Sequence, residues 1–555
     1  MAKYSLGIDF GTESARAILA DLSNGKVIAT AVHQYKDGVI DQALPGSSQP
    51  LPPNWALQNP MDWLESMEKS VVAAMAESKL DPSSVVGIGI DFTACTVLPT
   101  TEDGTPLCAL EKFRSNPHSW VKLWKHHGAQ PQADRINETA KSMGEKWLSR
   151  YGGKISSEWA IPKSLQILEE APEIYHEARY IIEGCDWLAW QLCGVLSRNS
   201  SAVGYKAAWN KKDGFPSKTY LAALHPELTD LFEKKFGGNI LPPGTKSGGL
   251  TPAWAKRLGL NEGTPVAVSI MDAHAGTPGA GIGGPGPMFM IMGTSTCHML
   301  LGEKEMLVEG ICGVVEDGIV PGYFAYEAGQ AGAGDIFAWF VDNCVPLEYH
   351  EEARQKGISL HEILGQKASR LAPGESGLLA LDWWNGNRSV LVDADLSGLL
   401  VGATLSTRPE EIYRALIEAT AFGTRMIIEA FNNQGVPVNS IIAGGGLTKN
   451  KMLMQIYADV MGIELAVTGA DQVSALGAAM LGAVAAGKAA GGYEKLAEAA
   501  HAMAQPHANV YKPILANAKV YDELYIEYAR LYDYFGRGEN PVMKSLLRIK
   551  KNART

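Results

Sequence analysis

Apolar and polar positions alternate at the start of the chain in a way that predicts paired strands. Tyr4-Ser-Leu-Gly-Ile-Asp-Phe-Gly-Thr-Glu-Ser-Ala-Arg-Ala-Ile-Leu-Ala20 reads as a strand, a tight Gly-Thr turn and a returning strand. The same pattern recurs at Met288-Phe-Met-Ile-Met-Gly-Thr-Ser-Thr-Cys-His-Met-Leu-Leu301. Each hairpin is followed by a helical apolar stripe and then a short buried strand that ends in glycine or a small polar turn. In the first half these are Trp63 to Ala76 and Val85 to Asp91; in the second, Glu410 to Phe431 and Ser440 to Gly446. Two such halves predict a duplicated α/β architecture with a cleft between the copies.

Further patterns refine this outline. Asn116 to Trp209 carries Trp120, Trp124, Trp147, Trp159, Trp187, Trp190 and Trp209, and reads as a helical insertion of about 116–210 on the first domain. Most of these rings are expected in a core, since aromatic side chains bury large areas wherever they occur. Gly and Pro crowd between 270 and 285, as in a hinge, which divides the chain into domains 1–275 and 276–555. Gln472 to Gly487 is uncharged and rich in Ala and Gly, too short to span a bilayer, and predicts a closely packed buried helix. Tyr521, Leu524, Tyr525, Tyr528, Leu531 and Tyr532 form one stripe of a docking helix. The basic tail with Lys544, Arg548, Lys550, Lys551 and Arg554 reads as a solvated terminus.

Composition narrows the partners. The chain has 555 residues, 46% hydrophobic residues and a formal net charge of -11. That length exceeds one core, and the acidic balance argues against nucleic acid. Any phosphate site must therefore be local, built from backbone N–H groups, helix ends and a divalent ion. Cys95, Cys108, Cys185, Cys193, Cys297, Cys312 and Cys344 lack the spacing of a zinc site or disulfide framework. With no export signal and no membrane span in view, a cytoplasmic protein is expected. Nothing in the sequence sets the oligomeric state, and a homodimer is compatible with it.

Candidate chemistry gathers at the turns. In Asp9-Phe-Gly11-Thr12-Glu13-Ser14 the glycine lets backbone approach a ligand, while nearby hydroxyls and N–H groups can donate to phosphate. A carboxylate at the end of a buried strand, as Asp9 is, points to a place beside Mg²⁺; the alternative is a carboxylate that satisfies turn amides. Gly293-Thr294-Ser295 repeats the turn, so two hairpins can grip a triphosphate from opposite sides. Gly444-Gly445-Gly446 opens backbone for a flat adenine, and Asn450 can cap the helix of about 451–460 or meet the nucleotide. Asp272 ends a buried strand at the mouth of a small-residue helix. There it can take a proton from a hydroxyl attacking phosphorus, or serve as a helix cap. His274 reads as a hydrogen-bonded cleft residue, and the adjacent His126 and His127 as a poor metal pair. Gly281-Ile-Gly283-Gly-Pro-Gly286 fits a dinucleotide fingerprint in letters only, because no clean strand precedes it at the correct offset and Pro285 falls among the glycines ahead of another strand rather than starting a helix.

This ordered set, spread over nearly the whole chain, resembles the FGGY family of carbohydrate kinases. The resemblance implies duplicated ribonuclease-H-like (actin-like ATPase) domains and the use of ATP and Mg²⁺. It implies that Gly11, Thr12 and Glu13 form a first phosphate loop, Gly293, Thr294 and Ser295 a second, and Gly444, Gly445, Gly446 and Asn450 an adenosine loop. Asp272 would be the general base, with Asp9 and Asp272 on the metal side. Asp91-Phe-Thr-Ala-Cys-Thr, Gly152 to Trp159, Gly204 to Trp209, Glu327 to Trp339 and Trp384-Asn-Gly-Asn-Arg388 are similar to members acting on L-ribulose. On that likeness Thr93, Ala94, Cys95, Lys206, Asp272 and Glu327 surround the sugar. Thr-Ala-Cys stands where kinases for D-xylulose tend to carry a Gln-Met-His type of segment, which argues against that sugar. A sibling kinase for another pentulose or polyol, and a nucleotide-gated ATPase of the same fold without a sugar, are the alternatives.

Overall fold

The computed structural model describes residues 2–553 and contains the two predicted sheets. In the first, Tyr4–Phe10 pairs antiparallel with Ser14–Asp21, which pairs antiparallel with Val27–Gln34. On its other side Tyr4–Phe10 runs parallel to Val85–Phe92, and Pro265–Ala267 and Ile270–Met271 continue the parallel part. In the second sheet, Pro287–Met292, Thr296–Gly302 and Phe324–Gln330 form the antiparallel meander. Ser440–Gly444 and Leu465–Val467 then continue it in parallel. The two halves thus repeat one topology, a meander of three strands whose first member also starts a parallel run. Ligands in such sheets sit beyond the carboxyl ends of the parallel strands.

Helices cover these sheets where the apolar stripes predicted them. Pro60–Ser78 takes its N-cap from Asn59, whose side chain accepts from the Met61 N–H, and packs on the first meander. Pro409–Asn433 buries Leu416, Ile417, Phe422, Ile427 and Phe431 against the second sheet. The tyrosine stripe lies on Leu515–Gly536, with Tyr521, Tyr525, Tyr528 and Tyr532 all buried there. Their hydroxyls are partnered, since Tyr528 donates to Asp382 and Tyr521 to Glu418 at 2.9 Å each. The basic tail faces solvent as expected, but it is helical over Val542–Asn552 with Met543 tucked in; Arg554 lies outside the described residues.

The uncharged Ala/Gly segment is the helix Val473–Ala486, and its packing partner is the first sheet rather than its own half. Glycine makes this approach possible. A Cβ on Gly7 would stand 2.1 Å from the Ala475 carbonyl oxygen, and one on Gly477 only 1.9 Å from that of Ala275. The stretch from 270 to 285, expected as a hinge, is mainly the helix Asp272–Gly279 packed against Val473–Ala486. Its small residues serve close contact instead of looseness. One core therefore joins Leu6, Ile8 and Ile90 to Ala475, Leu476 and Ala479, and reaches Phe289 and Met299 of the second sheet.

The tryptophan-rich insertion has its own core, which runs from Cys95 to Phe236 and includes Trp147, Trp159, Tyr151 and Tyr220. Trp120 and Trp187 are buried in neighbouring clusters, while Trp124, Trp190 and Trp209 keep exposed edges. Among the described residues no helix is long and apolar enough to cross a membrane.

Candidate active site

Both Gly-Thr hairpins hold their turns by the carbonyls. In the first, the Gly11 N–H donates to the Ser14 carbonyl at 3.0 Å, and the Gly11 carbonyl accepts from the Tyr35 hydroxyl at 3.0 Å. The Thr12 carbonyl accepts from Gln58 Nε2 at 2.7 Å, and the Thr12 hydroxyl accepts from Trp124 Nε1 at 3.1 Å. In the second, the Gly293 N–H donates to the Ser295 carbonyl at 2.9 Å, while the carbonyls of Gly293 and Thr294 accept from Gly334 and Ala333. The N–H groups of Thr12, Glu13, Thr294 and Ser295 have no acceptor among the described residues. Anchored carbonyls and unpaired N–H groups suit a phosphate ligand.

Carboxylates stand where the first sheet's parallel strands end. Asp9 and Asp91 are register partners on adjacent strands, and Asp91 also pairs with Ile270, two residues before Asp272. Asp9 does not bind turn amides; it accepts from Arg16 Nη1 at 2.7 Å across the hairpin. Asp91 is fully buried and neither carboxyl oxygen has a partner. Burial, followed by the charge of Asp9, holds its pKa well above the usual carboxylate range. Asp272 is the first residue of its helix, one position after Met271. Its Oδ1 accepts from the adjacent Ala273 N–H at 2.7 Å. Burial pushes the Asp272 pKa up to about 7; Asp9 and Glu327 add to the shift, while the Ala273 N–H and Lys206 oppose it.

Beside Asp272 the two halves meet through side chains. Lys206, the last residue of the helix Ser200–Lys206, donates to Glu327 at 2.9 and 3.2 Å. Burial alone would push the Glu327 pKa up and the Lys206 pKa down, but their mutual attraction outweighs it and keeps both charged. His274 completes the group, with Nε2 3.1 Å from Glu327 and Nδ1 2.8 Å from the Ser201 hydroxyl. Burial lowers its pKa, so a neutral ring that donates from Nε2 and accepts at Nδ1 fits both contacts. His274 is hydrogen-bonded, as its setting in the sequence suggested.

The turn after Asp91 is held as firmly. The Thr93 N–H donates to the Phe10 carbonyl at 3.1 Å, and the Thr93 and Thr96 hydroxyls lie 3.2 Å apart. Ala94 accepts from the Thr96 hydroxyl, and Cys95 sits in the left-handed region at φ 56°. Lys163 fixes that bend by donating to the carbonyls of Cys95 at 2.5 Å, Leu123 at 2.9 Å and Lys122 at 3.2 Å. One buried ammonium thus ties the turn to the segment that carries Trp124 to the first phosphate hairpin.

At the other end of the cleft, the Gly445 φ of 95° turns the chain beside Met292, whose carbonyl oxygen would lie 2.5 Å from a Cβ there. Gly446 faces open space. Asn450 caps the helix Lys451–Met461 by accepting from the Leu453 N–H at 3.1 Å. Arg16, Asp91 and Lys163 were not singled out from the sequence. Lys163 had a signal, since it is the single cation of a helix that carries Ile161, Leu165, Ile167 and Leu168, Ala160–Glu170.

Two sheets of one repeated topology, each with a Gly-Thr hairpin, make up two mixed α/β domains. Models of the FGGY family of carbohydrate kinases match residues 4–279 with the N-terminal domain and 288–486 with the C-terminal domain, and the chain belongs to that family. It is 55% identical over 549 residues to a ribulokinase of Halalkalibacterium halodurans, covering 99% of this chain and 98% of that one. A ribulokinase of Geobacillus thermodenitrificans is 55% identical over 553 residues, covering 100% and 98%. Among solved structures, a gluconate kinase from Lactobacillus acidophilus superposes with a TM-score of 0.79 at 18% identity, covering 97% of this chain and 99% of that one.

Proposed function

We propose that this protein transfers the γ-phosphoryl group of ATP to the terminal hydroxyl of L-ribulose, forming L-ribulose 5-phosphate in the breakdown of L-arabinose. The observation that carries the reaction type is Asp272, with its pKa pushed up to about 7 by burial, at a strand end beside the Lys206–Glu327 pair. Full-length relatives named ribulokinase support the sugar.

In this reading the acceptor hydroxyl faces Asp272, which takes its proton as oxygen attacks the γ-phosphorus. Lys206 donates to sugar oxygens and Glu327 accepts from sugar hydroxyls, and the turn of Thr93, Ala94 and Cys95 closes the chamber behind them. The N–H groups of Thr12, Glu13, Thr294 and Ser295 hold the phosphates, and Gly444 to Asn450 borders the adenosine. For Mg²⁺, Asp9 and Asp272 offer hard oxygen donors, and the unpartnered oxygens of Asp91 lie behind them. Among the described residues no three His, Cys, Asp or Glu side chains form a metal cluster. When bound, the ion neutralises phosphate charge. This reading expects the enzyme in the cytoplasm.

The test is ADP release coupled to product identification over a panel of ketopentoses, glycerol and gluconate. L-Ribulose should give the highest kcat/KM and a 5-phosphate product. A higher value for D-xylulose, glycerol or gluconate would reassign the substrate, and no sugar-dependent product at all would remove the kinase reading.

A further inference from the structure

Three strands of the first sheet end side by side. Phe92 is the register partner of Phe10 on one parallel neighbour and of Met271 on the other. One step further along, Thr93 therefore has the start of the first Gly-Thr hairpin, Gly11, on one side and Asp272 on the other. The turn 93–96 stands between a phosphate hairpin and the carboxylate read as base, where an acceptor must lie to be reached by both.

That turn does not hold itself. Cys95 adopts φ 56°, which is unfavourable for a residue with a side chain unless its surroundings impose it. Two of the outside anchors are at Thr96, whose N–H donates to Glu183 at 3.0 Å and whose carbonyl accepts from the Gly184 N–H at 2.8 Å. The bend itself is gripped by Lys163, whose Nζ donates to the Cys95 carbonyl at 2.5 Å. The N–H groups of Ala94 and Cys95 have no acceptor among the described residues, and Ala94 is partly exposed. The bend thus leaves two backbone donors free beside Asp272.

Lys163 is completely buried, and its acceptors are three carbonyls, those of Leu123 and Lys122 besides Cys95; no carboxylate pairs with it among the described residues. Enclosing an ammonium is costly, and a helix that had only to pack would place an apolar side chain there. It belongs to Ala160–Glu170 of the insertion, so this one side chain lets the insertion set the shape of a turn of the first sheet.

We propose that Lys163 is a positioning residue for the acceptor sugar: its ammonium holds the turn 93–96 in the bend that presents the Ala94 and Cys95 N–H groups to sugar oxygens. It acts through the Cys95 carbonyl, not by contact with the sugar. The assignment rests on the ketose-kinase reading. The first phosphate hairpin keeps anchors of its own, Tyr35 on the Gly11 carbonyl and Gln58 on that of Thr12, so the nucleotide side does not depend on Lys163.

The test compares Lys163→Met, which keeps the stem without donors, and Lys163→Gln, which keeps an amide donor, with the parent well below each melting temperature. In Lys163→Met the Kd of L-ribulose by calorimetry without nucleotide, and the sugar KM, should rise about 10- to 100-fold, the scale of a misplaced reactant. The KM for ATP and the slow ADP release without sugar should stay within about threefold. Lys163→Gln should lie between parent and Lys163→Met, and if Lys163→Met fails to fold, the same split between sugar and ATP in Lys163→Gln decides. A lower melting temperature with sugar Kd and KM unchanged would leave Lys163 a packing role only and overturn the assignment, as would equal rises in the KM for sugar and for ATP. A parent that neither binds nor phosphorylates a ketopentose overturns the ketose reading and this assignment with it.

Discussion

Asp272 joins two properties that a helix cap does not need: a pKa raised to about 7 by burial and a place beside the Lys206–Glu327 pair. Asp272→Asn keeps the size but removes the proton acceptor. Phosphorylation should fall by about 10² to 10⁴, or roughly 2.7 to 5.5 kcal/mol of transition-state stabilisation, with MgATP affinity retained. In the parent, kcat/KM should decline on the acid side with a midpoint near 7, the pKa of the free enzyme's base, and the variant should lose that limb. The stability effect has a definite sign. Because folding raises this carboxyl from 3.8, the native state binds more protons between that value and about 7, and stability falls as pH rises through the window. Asp272→Asn should therefore melt above the parent at pH 8, with the gap closing towards pH 4. A folded variant with near-normal turnover would remove Asp272 from the chemistry. Lys206→Ala and Glu327→Ala should lose chiefly sugar affinity, read as sugar KM, with ATP KM nearly unchanged. Loss of nucleotide binding with sugar binding intact would mean the sides had been assigned the wrong way round.

Among the elements, Val473–Ala486 matters most to the site because it supports the helix that Asp272 begins. A side chain at Gly477 must displace the Ala275 carbonyl, three residues along from Asp272. Gly477→Val should cost about 1–3 kcal/mol or more in urea unfolding, the usual range for overpacking, and should lower turnover as well. Unchanged stability would show that the helix pair yields easily. The sequence made the helix itself readable, since an uncharged Ala/Gly run has few other uses. Its partner was not readable, because close packing of small residues leaves no periodic signal that says which sheet is met. The hairpins and Asp272 were legible for the opposite reason: alternation and glycine turns are local. Asp91 and Arg16 escaped because their meaning lies in register, which sets Asp9 opposite Arg16 and beside Asp91. Lys163 escaped because three carbonyls from two separate segments converge on it only after folding.

For the whole molecule, the duplicated sheets are joined along a shared core, while Lys206 and Glu327 bridge the cleft beside it. With sugar and nucleotide both bound, closure should exclude water that would otherwise compete with the acceptor hydroxyl. Small-angle scattering should then report a smaller radius of gyration than for the free protein, and an unchanged radius would count against closure. The central claim, that this chain's phosphoryl transfer is directed to a sugar held between its halves, is tested most directly by ADP release at saturating MgATP with and without L-ribulose. The account predicts slow release alone and a rise of at least about 100-fold with the sugar, as expected when the acceptor completes the site. Release at the same rate in both conditions would contradict it and point to a nucleotide-gated ATPase of the same fold.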